Sequence, residues 1–582
     1  MRMFLHLGMA TVFFSVSCTH IIQSAQGQIK EQRLGPVPQG RLHEQAVLRC
    51  GHIGWIIRSG PKVSAVVDGL EGPEYDEFDV RSYGGGEFWL DCSWDGRHWA
   101  YVARRNYFWH AVIDGNEGPA YYEVGSVQFS REGLRVTYRA RIGDKWFMVV
   151  DGRQSPAYDN VREPKFSNKG GCLAYVATKE QRQCLVVGGK EGRLYDEIDD
   201  HRIAFSLDEK HVAYVGRNGR IADVKWEDRK CYAVVDGKEG PSYNWIGGLE
   251  FSPDGEHVAY RAMRGTMSVM VVDHKEGPEY DMIDTMDRSI FSPQGNRTAY
   301  MVRRRGDDKM FAVVDGQEGP VYDSIWIIRF SPNGQHVGYQ AKKDGKELMV
   351  INGQAGPVCD VAHTVEFSSD GKQWAYKARR DWKWFVVVDG QPGQVHDYIF
   401  DLVFSPDSKH LAYWVVDNKK ATLIIDGELR ASYTISGYLM FSPDSKHLAY
   451  SVKKNEKSVM ILSDQLGPEF DSTFLPVFSP DSKHLAYWAQ KGEKQLIVVD
   501  GNAGPEYEEI YGKRVVFSDD SAHWVYLARR GDKWLAVLDD NEGLEYERII
   551  RTLPSFKADG TIEYLAVKED ILYRVTQYPL SR

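Results

Sequence analysis

Short apolar runs rich in β-branched and aromatic residues alternate with polar turn clusters along this chain, and no stretch keeps the three-and-four spacing of an amphipathic helix. Every element is therefore predicted to be a strand. Around Phe404 the pattern predicts a first strand from Leu402 to Ser405, a turn at Pro406-Asp407-Ser408 and a second strand from His410 to Val415. A third follows from Ala421 to Ile425, a tight turn begins at Asp426-Gly427, and a fourth strand runs from Ser432 to Ile435.

The same pattern returns at nearly fixed intervals. Its core is Phe-Ser-Pro-Asp-Gly/Ser-x-His-x-Ala-Tyr, clearest from Phe251, Phe404, Phe441 and Phe478, followed by Val-Val-Asp-Gly-x-Glu-Gly-Pro-x-Tyr-Asp, as at Val66 to Asp76 and Val313 to Asp323. Taking the leading Phe as a ruler gives Cys92 in its place, then Phe129, Phe166, Phe205, Phe251, Phe291, Phe330, Phe367, Phe404, Phe441, Phe478, Phe517 and Phe556. Ala46 marks a degenerate first copy, with Trp55 where Tyr belongs, so the chain holds fourteen repeats. The long step from Phe205 to Phe251 contains an inserted loop, Gly216 to Lys230.

Four short antiparallel strands per repeat is the unit of a β-propeller blade, and the fold class is all-β. The motif resembles the WD-type repeats of bacterial exported propellers such as that of the periplasmic protein TolB. The resemblance covers nearly the whole chain and implies the fold, while such blades serve many unrelated roles. The terminal Trp-Asp pair of eukaryotic WD repeats is missing, so their partners do not carry over. Because rings usually hold four to eight blades, the expectation is tandem propellers: a first over 28–321 and a second over 322–582, each of about seven blades, with the boundary near Tyr322. The last repeat stops after Ile571 to Gln577 without a Gly-Pro-x-Tyr segment, and Gly35-Pro36 stands as an orphan before the first. An amino-terminal strand around Arg41 to Gln45 is expected to complete a blade built from the far end of the chain, which removes an exposed edge.

The 582 residues are 42% hydrophobic and 26% charged, ordinary for a water-soluble protein, and no apolar run approaches the ~20 residues of a membrane helix. The start of the chain, with Arg2, an apolar run from Met9 to Val16 and Ala25-Gln26-Gly27, fits an export signal over 1–27. Ser15-Val16-Ser17-Cys18 loosely resembles a lipoprotein box, giving lipidation at Cys18 as the rival. The expected location is periplasmic or extracellular, or attached to the envelope. Cys172 and Cys184 are candidates for a disulfide across neighbouring strands, against the alternative of small buried thiols. A net charge of −10 gives no argument for nucleic-acid binding.

Residues that recur in most blades are better explained by what every blade needs than by one site. His98, His211, His257, His336, His410, His447, His484 and His523 share one slot, which tempts a metal reading. Ligands to one metal must converge within about 2.1 Å of it, whereas equivalent slots lie in different blades, so structural hydrogen bonding is expected. Ser93 to Trp99 and Ser369 to Trp374 look a little like sialidase Asp boxes, but lack a residue between Asp and Gly. No nucleophile elbow, Walker loop or zinc-protease motif is present, and no cofactor is implied.

Up-and-down connectivity puts the Ser-Pro-Asp and Asp-Gly turns on one rim, acidic through Glu71, Glu117, Glu239, Glu276 and Glu318. The opposite rim collects the hairpins between second and third strands, which are basic and carry aromatics. Its candidate partner-binding residues are Arg104, Arg105, Trp226, Arg303, Arg304, Arg379, Arg380, Trp382, Arg529, Arg530 and Trp534. The sequence thus favours an exported binding or scaffold module holding a protein, anionic or glycan partner on that rim. The alternative is a carbohydrate-active hydrolase or lyase with a site in one propeller channel.

Overall fold

The computed structural model describes residues 19–24, 27–36, 46–49, 52–78, 90–219, 222–284, 290–303, 309–433, 435–454 and 456–579. Among these, two single-turn 3-10 helices, Trp226–Asp228 and Tyr511–Lys513, interrupt an otherwise all-β chain of fourteen antiparallel sheets. The fold is a propeller of fourteen blades, numbered here in chain order.

Blade 10 shows how the sequence builds one. Its strands are Tyr398–Phe404, Leu411–Asp417, Lys420–Ile425 and Glu428–Tyr433, hydrogen-bonded in that order. The first strand starts earlier than the apolar pattern suggests, because its register shifts between Phe400 and Val403 and the bulge breaks alternation. The fourth begins directly after the Asp-Gly turn, with Glu428 opposite Ile425, so Ile435 belongs to the first strand of blade 11. Asp426 and Gly427 both have positive φ, 53° and 80°, the conformation that a two-residue hairpin with matching twist requires.

Consecutive blades pack face to face through apolar side chains. Between blades 10 and 11, Trp414 and Leu423 meet Tyr450, Val452, Val459 and Ile461, all buried. Each such side chain contributes on the order of 1.5–3 kcal/mol. Blades 7 and 8 pack the same way, Met301, Met310 and Ala312 against Tyr322, Ile325 and Tyr339, so the core is continuous across the expected boundary at Tyr322.

Two compact units are distinguished. One comprises Met1–Leu42, Val66–Glu71 and Pro468–Arg582, the other His43–Ala65 and Gly72–Gly467. In the first, Gly27–Pro36 pairs antiparallel with Ile571–Gln577, supplying the fourth strand that the last repeat lacks. Thr19–Ser24 adds an edge strand beyond it. The strand that closes the blade includes the orphan Gly35-Pro36, whereas Arg41 to Gln45 lies outside the described residues.

Cys172 and Cys184 are free thiols rather than a disulfide. Cys184 faces Ala177 across the ladder, five positions beyond Cys172 (177 − 172). At about 3.3 Å per residue that places the two well beyond the ~7 Å Cα limit for a bridge. Cys92 is disulfide-bonded.

Candidate partner-binding rim

The repeated motif is a set of ties between turns. In blade 10 the Ser405 hydroxyl donates to Asp407 at 2.7 Å and accepts the His410 backbone N–H at 3.0 Å. The His410 ring meets Asp426 of the Asp-Gly turn at 2.7 Å, and the Leu411 N–H donates to the other Asp426 oxygen at 2.9 Å. His98, His211, His257, His484 and His523 make the same bond to Asp114, Asp236, Asp273, Asp500 and Asp539, while His336 uses Asn352 and His447 uses Ser463. These histidines are scaffold. Where Ser replaces the turn glycine, it keeps the left-handed φ of 64–65° at Ser408 and Ser445, and its hydroxyl accepts a backbone N–H from the preceding blade.

The expected separation into an acidic and a basic rim does not hold for several blades. The fourth strand runs back along the third toward the hairpin rim, and its glutamate meets the base that ends the second strand. Glu117 pairs with Arg105 at 2.9 Å and accepts the Tyr75 hydroxyl of the preceding blade at 2.8 Å. Glu191 does so with Lys179 and Tyr158, Glu276 with Arg264 and Tyr243, and Glu542 with Arg530 and Tyr507. Burial first, and then the bond to the glutamate, push these tyrosines far above their ordinary pKa. Each unit of tyrosine, glutamate and base ties one blade to the next.

The predicted rim residues accordingly divide into two groups. Arg104 is held by Glu77 at 2.6 Å and Arg529 by Glu509 at 3.0 Å, and Arg105 and Arg530 belong to the ties just described. Trp534 is half-buried beneath Arg529, and Trp226 donates its indole N–H to the Gly265 carbonyl at 3.0 Å. Among the described residues neither Arg379 nor Arg380 is in an ion pair, although the Arg379 charge helps to lower the nearby Asp360 carboxyl; Arg379 lies over Trp382 and Trp384, and Arg380 donates to the Val358 carbonyl. Arg303 is exposed, and Arg304 lies outside the described residues. Lys342, Lys343, Lys419, Lys453 and Lys454 on neighbouring hairpins are also exposed, so exposed basic side chains outside the ties just described gather on blades 7 to 11, with Asp344 and Asp381 among them. Trp382, 82% exposed, stands at the tip of the blade 9 hairpin.

The sequence reading passed over Glu366 and Asp401. Both lie on first strands with exposed side chains, and partial desolvation raises both carboxyls. Glu366 stands at the slot just before the ruler Phe, which other blades fill with Gln128, Val403 or Met440. Glu250 fills the same slot before Phe251, so the sequence alone does not set Glu366 apart, and Asp401 lies outside the slot.

No family model matches the chain, and no curated protein matches it. Solved structures do. The chain is 15% identical to the β-propeller domain of the Trilobed protease from Pyrococcus furiosus, covering 44% of this chain and 95% of that one with a TM-score of 0.23. It is 14% identical to virginiamycin B lyase from Staphylococcus aureus, covering 48% and 99%, with a TM-score of 0.22. A eukaryotic initiation factor aligns at 13% identity over 66% and 97%, with a TM-score of 0.27. Likeness at this level bears on neither substrate nor partner.

Proposed function

We propose that this protein is an exported, non-catalytic binding or scaffold module that holds a protein or glycan partner on the hairpin rim of blades 7 to 11. The supporting observation is the contrast within one repeated frame. The hairpin arginines of blades 2 and 13 are ion-paired within their own blades, whereas Arg379 and Arg380 make no ion pair among the described residues, and Trp382 projects beside them. Clustered like charge raises the local concentration of an anionic partner, and an exposed indole supplies an apolar anchor. Export is part of the proposal, through a signal over 1–27 or a lipid on Cys18, in a bacterial periplasm or at the envelope. The disulfide at Cys92 supports it, since such bonds persist in oxidising compartments. Division of the blades into two rings of seven also belongs to the proposal, although the packing across Tyr322 weighs against a break there.

Capture from envelope extracts on the immobilised full chain, with a glycan array in parallel, tests this reading. It expects a retained partner that salt releases, and retention of nothing above a neutral control contradicts it. Glu366 and Asp401 favour a second reading, hydrolysis or elimination of a bound glycan, because raised carboxyls are suited to proton transfer. Product formation from any glycan retained on the array would support that second reading.

A further inference from the structure

In several blades the second strand ends on an arginine that faces a first-strand glutamate across the ladder. Arg104 faces Glu77, Arg141 faces Glu123, Arg217 faces Glu197 and Arg529 faces Glu509. All four are ion pairs, at 2.6, 3.3, 3.4 and 3.0 Å. Blade 9 has its arginine in the same slot, Arg379, but opposite it stands Val361. The blade 7 equivalent, Arg303, faces Met282 and is exposed. Arg379 differs from Arg303 in what surrounds it.

The Arg379 guanidinium lies 5.2 Å from the Trp382 ring and 5.6 Å from Trp384, and its Nε is buried with no hydrogen-bond partner. Trp384 is in turn 5.3 Å from the His363 ring and 5.6 Å, edge-on, from Tyr398 on the first strand of blade 10. Tyr398 is 50% exposed and stacks on Phe400 behind it. Nearby on the same blades are Glu366 and Asp401 on first strands and Lys377 on the second strand of blade 9. The Lys377 charge acts on both carboxyls and Arg329 acts on Glu366 as well, yet none of Lys377, Asp401 and Glu366 is in an ion pair among the described residues. Glu366 and Asp401 are exposed, and Lys377 is half-buried.

We infer that the inner edge of blades 9 and 10 binds a carboxylated sugar, with its carboxylate on Arg379 and its ring on the exposed face of Tyr398. A planar guanidinium fork matches a carboxylate in two parallel hydrogen bonds. The C–H face of a pyranose is apolar and packs on an aromatic ring, while the polar end of Tyr398 stays wet. Glu366, Asp401 and Lys377 supply the acceptors and donors that sugar hydroxyls need. The inference rests on the binding reading above and names the ligand for one part of that rim.

The test is calorimetric titration of the full chain with tetramers of galacturonate, glucuronate and mannuronate, each beside its methyl ester. At least one acid should bind saturably, and its ester about tenfold or more weaker, as loss of a charge-assisted bond predicts. Val361→Glu restores the carboxylate that sibling blades carry, and should weaken acid binding about tenfold while leaving the urea unfolding midpoint in place. Arg379→Gln should weaken binding equally, which keeps the test decisive if the first variant folds poorly. Saturable binding by none of the acids, equal binding of acid and ester, or full affinity in both variants overturns the inference. If no uronate binds while a protein is still captured in an Arg379-dependent way, the sugar assignment falls and the binding module stands.

Discussion

The Tyr546 hydroxyl donates a 2.7 Å hydrogen bond to Glu31, a partner 515 residues away in the chain, and both side chains are buried. Glu31, on the strand that closes blade 14, faces Val575 and stands in for the glutamate that the tied blades draw from the start of their own fourth strands. Ile29 enters the same core as Tyr546, Tyr564 and Val575. The amino-terminal segment thus replaces a missing strand and the polar tie that comes with it.

Replacing Glu31 with Ala leaves the Tyr546 hydroxyl buried without its acceptor, a loss of about 1–3 kcal/mol. Urea unfolding should show a lowered midpoint, and hydrogen exchange should accelerate first in 548–577. Unchanged protection in that blade would contradict closure by strand sharing.

His410→Ala removes the bond to Asp426 at an exposed turn. The expected cost is about 1 kcal/mol, read as a shift in unfolding midpoint, with any partner affinity preserved. Stoichiometric metal bound through His410, His447 or His484 would overturn the scaffold assignment.

Acid should destabilise the turns. The Ser405 hydroxyl, foremost among several bonds, holds the Asp407 carboxyl down to about 2, and Ser442 does the same for Asp444. A carboxyl depressed in the folded state stabilises fully above its unfolded pKa, near 3.8, and loses that contribution as pH falls through the folded value. Unfolding midpoints should therefore drop between about pH 4 and pH 2. Asp407→Asn should flatten that drop, and an identical pH profile in wild type and variant contradicts the assignment.

Much of this architecture is legible in the sequence, because every blade must solve the same problem. The ruler Phe, the Asp-Gly hairpins and the shared histidine slot report a repeated turn chemistry. The first-strand bulges are not legible, since a register shift such as that between Phe400 and Val403 scrambles alternation. The pairing of Arg105 with Glu117 is equally hidden: connectivity assigns the two residues to opposite rims, and side-chain reach brings them together. What makes Arg379 unusual is the absence of a partner at Val361, visible only once the ladder shows which residues face each other.

Processing of the amino terminus has a structural consequence. Cleavage near Gln28 keeps Ile29, Glu31 and Leu34, all buried in the closing strand, while lipidation at Cys18 would also keep the edge strand Thr19–Ser24. Mass spectrometry of native protein should find one of these two starts, and an intact Met1 contradicts both.

The central claim, that recognition uses the exposed basic hairpins of blades 7 to 11, is tested most directly by charge reversal. Arg379→Glu with Arg380→Glu should abolish or strongly weaken the capture of whatever envelope component the wild type retains. It should also flatten the salt dependence of that retention, since exposed charges act through a screened field. Undiminished capture by this variant would show that the wrong rim has been assigned.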